Sequence, residues 1–179
     1  MGEFADEYSE EIESELRDER HEIDVEALLN DTITTLMPAE PVCCRESTTV
    51  QEAVERMLAR RHAGVLVVDG DGRLSGIFTE RDVLTRVVGR DLDPRRAELG
   101  AVMTPDPEAL SLRDRVAYAI HSMSVAGYRT IPLVDDARRP VGVVTVSDLI
   151  RWLANLFPEA ILNLPPSDTL KRPGQIDSG

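Results

Sequence analysis

The sequence has few aromatic residues, few cysteines and no long hydrophobic run. Of its 179 residues, 4% are aromatic and two are cysteine, although 42% are hydrophobic. The core must therefore consist mainly of Val, Leu, Ile, Ala and Met, which is typical of regular strands and helices. No stretch approaches the ~18 consecutive apolar residues that cross a bilayer, and the acidic N-terminus differs from a secretory signal. We expect a cytoplasmic protein that does not bind a membrane.

The two cysteines are neighbours, Cys43 and Cys44. Adjacent cysteines form a disulfide only with strained geometry, so a structural bridge is not expected. The histidines His62 and His121 do not stand at a spacing that is typical of metal ligands, and no metal site is predicted. We expect buried, inert thiols in a strand. A redox-responsive or metal-responsive role for the pair is the alternative.

The chain also lacks a basic surface. Its net charge is −13, and residues 1–31 hold 13 acidic residues against two arginines, so the remaining 148 residues are nearly neutral. No nucleic acid partner is expected for such a chain. In the acidic stretch, apolar residues at roughly helical spacing predict one or two amphipathic helices: Ile12, Leu16, Ile23, Ala27 and Leu28. A disordered acidic tail is the alternative, because a block of like charge opposes helix formation.

The most informative feature that the sequence does contain is an internal repeat. Shifted by 66 residues, 37–84 aligns with 103–150 without a gap, and 11 of the 48 pairs are identical. Chance would give about three identities. The identical pairs include Gly76 and Gly142, Thr79 and Thr145, and Asp82 and Asp148.

Each copy of the repeat predicts the same order of elements, β-α-β-β-α. In the first copy, apolar residues at helical spacing predict a helix over 49–61, and β-branched runs predict strands at 65–68 and 74–78. A short strand near 42–44 and a helix from Glu80 onward complete the unit. Neither copy can cover both of its faces alone. The predicted fold is therefore α/β (α+β), with two repeats packed sheet to sheet about a pseudo-twofold axis.

These boundaries divide the chain into five predicted segments. They are an acidic, helical N-terminal extension at 1–31, a first repeat at 32–88, a polar linker at 89–98, a second repeat at 99–157 and a tail at 158–179. Four prolines exclude a long helix or a central strand from the tail.

Each repeat ends in the pattern Gly-x-x-Thr-x-x-Asp, at 76–82 and at 142–148. Glycine allows a neighbouring element or a ligand to approach the strand closely. Threonine at the strand end can cap the following helix, and the helix dipole favours an ionised aspartate in the first turn. An ionised carboxylate can accept the two hydrogen bonds that adjacent ribose hydroxyls donate. The pattern therefore predicts either a ribose-binding site or a plain helix cap.

Two copies of this motif in matched register, together with Met103, Thr104 and Pro105 at the start of the second repeat, resemble a pair of cystathionine-β-synthase (CBS) domains, called a Bateman module. The resemblance covers about residues 33–156. It implies a regulatory module that binds an adenosine compound between its repeats, such as AMP, ADP, ATP, NAD or S-adenosylmethionine. It also implies a homodimer, to which a protein client could dock. No catalytic cofactor or enzymatic activity is expected, since the sequence has no Ser-His-Asp order, P-loop or metal cluster.

Carried over residue by residue, the resemblance implies two clefts, each combining one motif with a segment of the other repeat. The implied contacts are Thr79, Arg81, Asp82, Tyr128, Arg129, Thr130 and Ile131 in the first cleft, and Thr145, Ser147, Asp148, His62, Ala63, Gly64 and Val65 in the second. Two arginines favour the first cleft for a phosphorylated nucleotide, because the second has Ser147 in place of Arg81 and Ala63 in place of Arg129.

One further difference argues against the second cleft. The family often has proline at the position of Pro132, and the first repeat has Leu66 there. If the clefts are empty or occluded, the alternative function is a ligand-free dimerisation or scaffold module.

Overall fold

The computed structural model describes residues 29–156. The predicted acidic helices lie outside these residues, apart from a helical end at residues 29–30, and so does the predicted tail at 158–179. Within the described range, the mixed α/β architecture with two β-α-β-β-α repeats is confirmed. No helix in this part of the chain has the length and apolar character that a membrane span requires.

The first repeat contains three strands and two helices, preceded by a 3₁₀ turn at Ile33–Leu36. Its regular elements are β1 (Cys43–Arg45), α1 (Val50–Arg60), β2 (Gly64–Val68) and β3 (Leu74–Thr79). Helix α1 begins at a capping box, in which the Thr49 hydroxyl accepts a hydrogen bond from the Glu52 amide and the Glu52 carboxylate accepts one from the Thr49 amide. The helix ends where Arg61 adopts a left-handed backbone conformation, with φ of 54°.

Helix α2, which follows β3, is irregular. It begins as an α-helical turn at Glu80–Asp82, continues as a π-helix over Val83–Val87 and ends in a 3₁₀ turn at Val88–Arg90. The hydrophobic pattern predicts a helix here but carries no signal for the wide turns. Such turns are rare and often accompany a special contact, and this one contains Arg86, whose contacts are described below.

The second repeat has the same plan with a reduced first strand. Its elements are α3 (Leu99–Val102), β4 (Thr104–Pro105), α4 (Val116–Ala126), β5 (Thr130–Val134), β6 (Pro140–Thr145) and α5 (Val146–Leu156). The counterpart of β1 is a single parallel bridge between Leu110 and Leu133.

The two repeats exchange short segments along their sheets. In the first sheet the order is β1-β2-β3-β4, so that β4 of the second repeat pairs antiparallel with β3 of the first. In the second sheet β5 pairs antiparallel with β6, and Ala39 of the first repeat bridges Val143. Each repeat thus supplies an edge segment to the sheet of the other.

The same exchange continues in the hydrophobic cores. Leu99 and Val102 are buried in the core of the first repeat, whereas Ile33 and Leu36 are buried in the core of the second. All four side chains are at most 5% exposed. Burial of side chains of this size contributes about 1.5–3 kcal/mol each. The two repeats therefore do not have independent cores.

A third cluster of side chains fills the space between the sheets. Leu66, Leu74 and Ile77 of the first repeat pack with Val143 of the second. Ile77 and Val143 occupy equivalent positions of the two repeats, 66 residues apart. The predicted sheet-to-sheet packing about a pseudo-twofold axis is confirmed by this contact.

Candidate functional site

The two motif aspartates cap the helices that follow them. In the first motif, Oδ2 of Asp82 accepts hydrogen bonds from the Thr79 amide at 2.9 Å and the Thr79 hydroxyl at 2.8 Å. In the second, Oδ2 of Asp148 accepts from the Thr145 amide at 2.8 Å and the Thr145 hydroxyl at 2.7 Å. Both aspartates are buried, at 7% and 9% exposure. The helix-capping role that the sequence leaves open is thus present in both motifs.

The second oxygen of Asp82 is held by Arg86. Oδ1 of Asp82 lies 3.3 Å from Nε of Arg86. The same guanidinium donates from Nη1 to the carbonyl of Val102 at 3.0 Å and to the carbonyl of Met103. Arg86 therefore connects the first motif to the segment that enters from the second repeat, and its side chain is only 31% exposed.

The second oxygen of Asp148 meets a more exposed arginine. Oδ1 of Asp148 lies 3.0 Å from Nη1 of Arg151, whose side chain is 68% exposed. Among residues 29–156, this is the one polar partner that the Arg151 guanidinium has. An exposed ion pair of this kind contributes little to stability, so Arg151 can exchange Asp148 for another anion at low cost.

The two motif glycines differ in how closely the segment from the other repeat approaches them. A Cβ atom at Gly76 would overlap Sδ of Met103 and lie 3.0 Å from its Cγ. At Gly142 the added atom would lie 3.5 Å from the Ala39 carbonyl oxygen and from Cβ of Pro38. A segment of the other repeat thus requires glycine at Gly76, whereas at Gly142 the crossing segment lies at ordinary van der Waals distance and the nearest atom is Cδ1 of Leu133, at 3.2 Å.

A cavity of about 620 Å³ lies between the two repeats. Equivalent positions of both repeats line it: Ala63 and Arg129, Gly64 and Thr130, and Ile77 and Val143. Small-molecule sites usually have volumes of roughly 300–1,000 Å³, with mostly apolar walls and a few polar groups. The apolar wall is supplied here by Leu66, Ile77 and Val143, all of which are buried.

Charged side chains also line this cavity. They are Arg61, Arg129, Arg151, Glu80 and Asp148. Within residues 29–156, neither Arg61 nor Arg129 makes an ion pair. Three arginines against two acids leave one excess positive charge, and guanidinium groups bind phosphate and carboxylate oxygens well. The cavity therefore favours a ligand that combines an apolar part with an anionic group.

The register of the hairpins explains why Arg129 lies beside the second motif. Strand β5 pairs Thr130 with Thr145, and the amide of Val146 donates to the Arg129 carbonyl at 3.1 Å. The equivalent bond of the first repeat joins the Glu80 amide to the Ala63 carbonyl at 3.0 Å. Local strand pairing thus places Arg129 next to the Asp148 motif, although the family resemblance implies a cleft that combines it with Asp82.

The structure brings eight of the sequence-predicted contacts together around the cavity: His62, Ala63, Gly64, Arg129, Thr130, Thr145, Ser147 and Asp148. Six others do not line it: Thr79, Arg81, Asp82, Tyr128, Ile131 and Val65. The side chains of Val65 and Ile131 are 1% exposed and pack in the cores of their repeats, because alternate strand residues face the helices. The cavity lies beside Asp148, whereas the sequence analysis favours the cleft beside Asp82 for a phosphorylated nucleotide. A role for Thr79, Arg81 and Asp82 stays a prediction.

The sequence analysis does not identify three charged residues that line the cavity: Arg61, Glu80 and Arg151. A partial signal exists for Arg151, which stands three residues after Asp148 in a helix and therefore on the same face. The direction in which the Arg61 side chain points depends on the left-handed backbone conformation of this residue. Glycine and asparagine are the usual residues in that conformation, and neither stands at this position, so the sequence does not predict it.

A second cavity, of about 390 Å³, adjoins the first at His62, which lines both. Its polar lining residues are Glu40, Cys43, Arg56, Arg60 and His62. In the described part of the chain no group of three His, Cys, Asp or Glu residues could hold a metal ion.

The two cysteines differ in exposure. Cys44 is buried, whereas Cys43 is exposed on the edge strand β1, so the expectation that both are buried is wrong for Cys43. Loss of hydration raises the pKa of both thiols, and the nearby Arg56 only partly opposes this for Cys44. A raised pKa keeps a thiol protonated and less reactive. This environment does not favour a redox role for the pair.

Comparison with known proteins places these features in a family context. A family model for the CBS domain matches residues 33–89 and again residues 99–155. The meiotically up-regulated gene 70 protein of Schizosaccharomyces pombe is 32% identical over 148 residues, which are 83% of this chain and 19% of that protein. The CBS domain-containing protein CBSCBSPB2 of Arabidopsis thaliana is 31% identical over 122 residues, 68% of this chain and 22% of that protein. This chain thus spans about a fifth of the length of these curated relatives.

Two solved structures share the fold. The CBS domain pair of protein MJ0100, in complex with 5′-methylthioadenosine and S-adenosyl-L-methionine, matches with a TM-score of 0.64 and 22% identity, over 70% of this chain and 98% of that one. Hypoxic Response Protein I, with two coordinated zinc ions, matches with a TM-score of 0.60 and 25% identity, over 68% of this chain and 98% of that one.

Proposed function

This chain belongs to the CBS domain family, and we propose that its two tandem domains form a non-enzymatic regulatory module that binds an adenine nucleotide or adenosyl compound between the repeats. Ligand binding would change the shape of the module or of a dimer, and a protein client would respond to that change. A cytoplasmic location stays a prediction from the sequence.

The observation that carries this proposal is the composition of the larger cavity. An apolar wall of Leu66, Ile77 and Val143 faces a space that arginines border. A purine base needs an apolar surface and a phosphate needs cations, so the two halves of a nucleotide both find a suitable environment. The volume of about 620 Å³ is sufficient for a ligand of this class.

The polar residues beside α5 suit the ribose. Thr130, Thr145, Ser147 and Asp148 all line the cavity close to the start of this helix. The Asp148 carboxylate has lone pairs beyond those that Thr145 and Arg151 occupy, and it can accept from a hydroxyl of the sugar. A ligand phosphate could also attract Arg151 away from Asp148, which would leave Oδ1 of Asp148 available to the ribose.

The fold neighbour MJ0100 is an example of a CBS domain pair with ligands of this class. Its CBS pair is described with two adenosyl compounds. At 22% identity this likeness shows the fold alone, so the choice among AMP, ADP, ATP, NAD and S-adenosylmethionine requires a direct measurement.

A thermal-unfolding panel with these five compounds tests the proposal. A ligand at one hundred times its dissociation constant stabilises the folded protein by about 2.7 kcal/mol, which is a shift of several degrees at this size. Arg61→Ala should reduce the shift, because Arg61 lines only the larger cavity of the two described here. Arg113→Ala is the matched control, since this exposed arginine lines neither cavity.

Arg81→Ala distinguishes the two clefts. If Arg81→Ala removes the shift and Arg61→Ala does not, the ligand lies beside Asp82, as the sequence favours. If none of the five compounds shifts the transition of the wild type, the proposed function is wrong. Substitution of Asp148 is less informative, because this residue also caps helix α5 and its loss would destabilise the protein without ligand.

A homodimer is the assembly that we propose. Exposed apolar side chains occupy equivalent places on the outer helices: Leu84 of α2 is 66% exposed and Ile150 of α5 is 62% exposed. Val88 and Leu153 extend the two surfaces. Two similar apolar surfaces related by a pseudo-twofold suit a closed twofold contact with a second copy. Light scattering should give twice the chain mass, and a monomer that persists at high concentration would contradict it.

The scaffold alternative retains one supporting observation. Both motif aspartates are satisfied by threonine and arginine of the same chain, so the motif has a structural role even without a ligand. This alternative predicts a dimer with no response to any compound of the panel.

A further inference from the structure

The segment Arg60-Arg61-His62 lies where the two cavities adjoin. Helix α1 ends at Arg60, and the left-handed backbone of Arg61 reverses the chain while its amide donates to the carbonyls of Leu58 and Met57. The reversal directs successive side chains to different sides. Arg60 lines the smaller cavity, Arg61 lines the larger one, and His62 lines both.

The smaller cavity has an excess of positive charge. Arg56 and Arg60 line it together with His62, and Glu40 is its single acidic lining residue. Two guanidinium groups against one carboxylate favour an anion with several acceptor oxygens. The buried apolar wall of Leu66, Ile77 and Val143 belongs to the larger cavity alone, so the smaller one is less suited to a base.

The two arginines of the smaller cavity differ in how they are held. Nη1 of Arg56 donates to the Cys43 carbonyl at 3.2 Å and lies 3.6 Å from Sγ of Cys44, which fixes the guanidinium. The Arg60 guanidinium makes no hydrogen bond or ion pair within residues 29–156 and is exposed. The cavity thus offers one pre-positioned cation and one that can move onto a ligand.

We propose that the smaller cavity is a subsite for the terminal phosphates of a nucleoside polyphosphate whose adenosine lies in the larger cavity. The subsite rests on the proposed function, since it requires a nucleotide between the repeats. The phosphate chain passes His62, with Arg61 on the adenosine side and Arg60 on the distal side. A nucleoside monophosphate reaches only the first of these arginines.

Calorimetric titration of the full chain with AMP, ADP and ATP tests the subsite. ATP should bind at least about tenfold more tightly than AMP, because a charge-assisted hydrogen bond to the Arg60 guanidinium adds about that factor. Arg60→Ala should remove most of this advantage and leave the affinity for AMP within about twofold of the wild type. Arg113→Ala, outside both cavities, should leave all three affinities unchanged.

Four outcomes overturn the subsite. Equal affinities of the wild type for AMP and ATP would overturn the subsite, while the proposed function would still stand. An ATP advantage that survives Arg60→Ala, or an equal loss of AMP and ATP affinity in this variant, would also overturn the subsite. If none of the three nucleotides binds, the subsite is wrong and the proposed function depends on NAD and S-adenosylmethionine. Thermal unfolding of the ligand-free variants shows that each one is folded.

Discussion

The two motifs are alike in sequence but differ in their surroundings. At the first, Arg86 holds Asp82 and two carbonyls of the crossing segment, and the ion pair is largely enclosed. At the second, the position equivalent to Arg86 is Trp152, and Asp148 pairs instead with Arg151 at the edge of the cavity. One motif therefore serves as a joint between the repeats, while the other borders a space that a ligand can enter.

This difference shows that the motif alone does not specify a binding site. Both aspartates cap a helix through the same threonine contacts. What differs is the residue that satisfies the second carboxylate oxygen and the number of other partners that this residue has. An arginine with three acceptors fixes a joint, whereas an exposed arginine with one acceptor can be recruited by an anion.

The largest effect should follow from a substitution in the exchanged core segments. Leu99 belongs to the second repeat but is fully buried in the core of the first. Leu99→Ala should therefore lower the free energy of unfolding by about 2–5 kcal/mol. Ile33→Ala, in the equivalent place of the other half, should have an effect of similar size. Urea denaturation gives both values.

Both variants should still unfold in one transition, because each core contains side chains from both repeats. Leu58→Ala, at a side chain that is 73% exposed, is the control and should change stability by less than about 0.5 kcal/mol. Two separate transitions, with only one of them shifted, would show that the repeats unfold independently and would contradict the shared cores.

A smaller effect should separate Arg86 from Arg151. Arg86→Ala leaves the buried Asp82 without its cation and two carbonyls without a donor, so a loss of about 1–2 kcal/mol is expected. Arg151→Ala removes an ion pair whose arginine is 68% exposed, and the loss should remain below about 0.5 kcal/mol. Denaturant midpoints of the two variants measure the difference, and equal losses would contradict the distinction between joint and open site.

The secondary structure of both repeats could be predicted from sequence for a clear physical reason. Strands and helices bury one face each, and the spacing of apolar residues records which face that is. The 66-residue repeat, in which Gly76 aligns with Gly142, also located the two motifs correctly. The predicted strand over 42–44 is shifted by one residue in the structure, to Cys43–Arg45.

The exchange of segments and the shape of the cavity could not be predicted in this way. The pairing of β4 with β3 is non-local, and two residues are too short to show a periodic pattern. The direction of Arg61 depends on a left-handed backbone at a residue that seldom adopts it. Arg81 and Arg129 together favour the first cleft in the sequence analysis, but only Arg129 lines the cavity, and a role for Arg81 stays a prediction.

The smallest effect should distinguish the two motif glycines. Gly76→Ala places a methyl group where Met103 now lies, and the side chain must move to accommodate it, at a cost of about 1–2 kcal/mol. Gly142→Ala meets Cδ1 of Leu133 at 3.2 Å and the crossing segment only at 3.5 Å, so the cost should be below about 1 kcal/mol.

Met103→Ala in combination with Gly76→Ala tests the cause of this difference. If Met103 creates the strain, the double variant should be more stable than the sum of the two single losses predicts, since the added methyl then occupies vacated space. Purely additive losses would mean that glycine is needed there for another reason, such as the backbone pairing of Gly76 with Pro105.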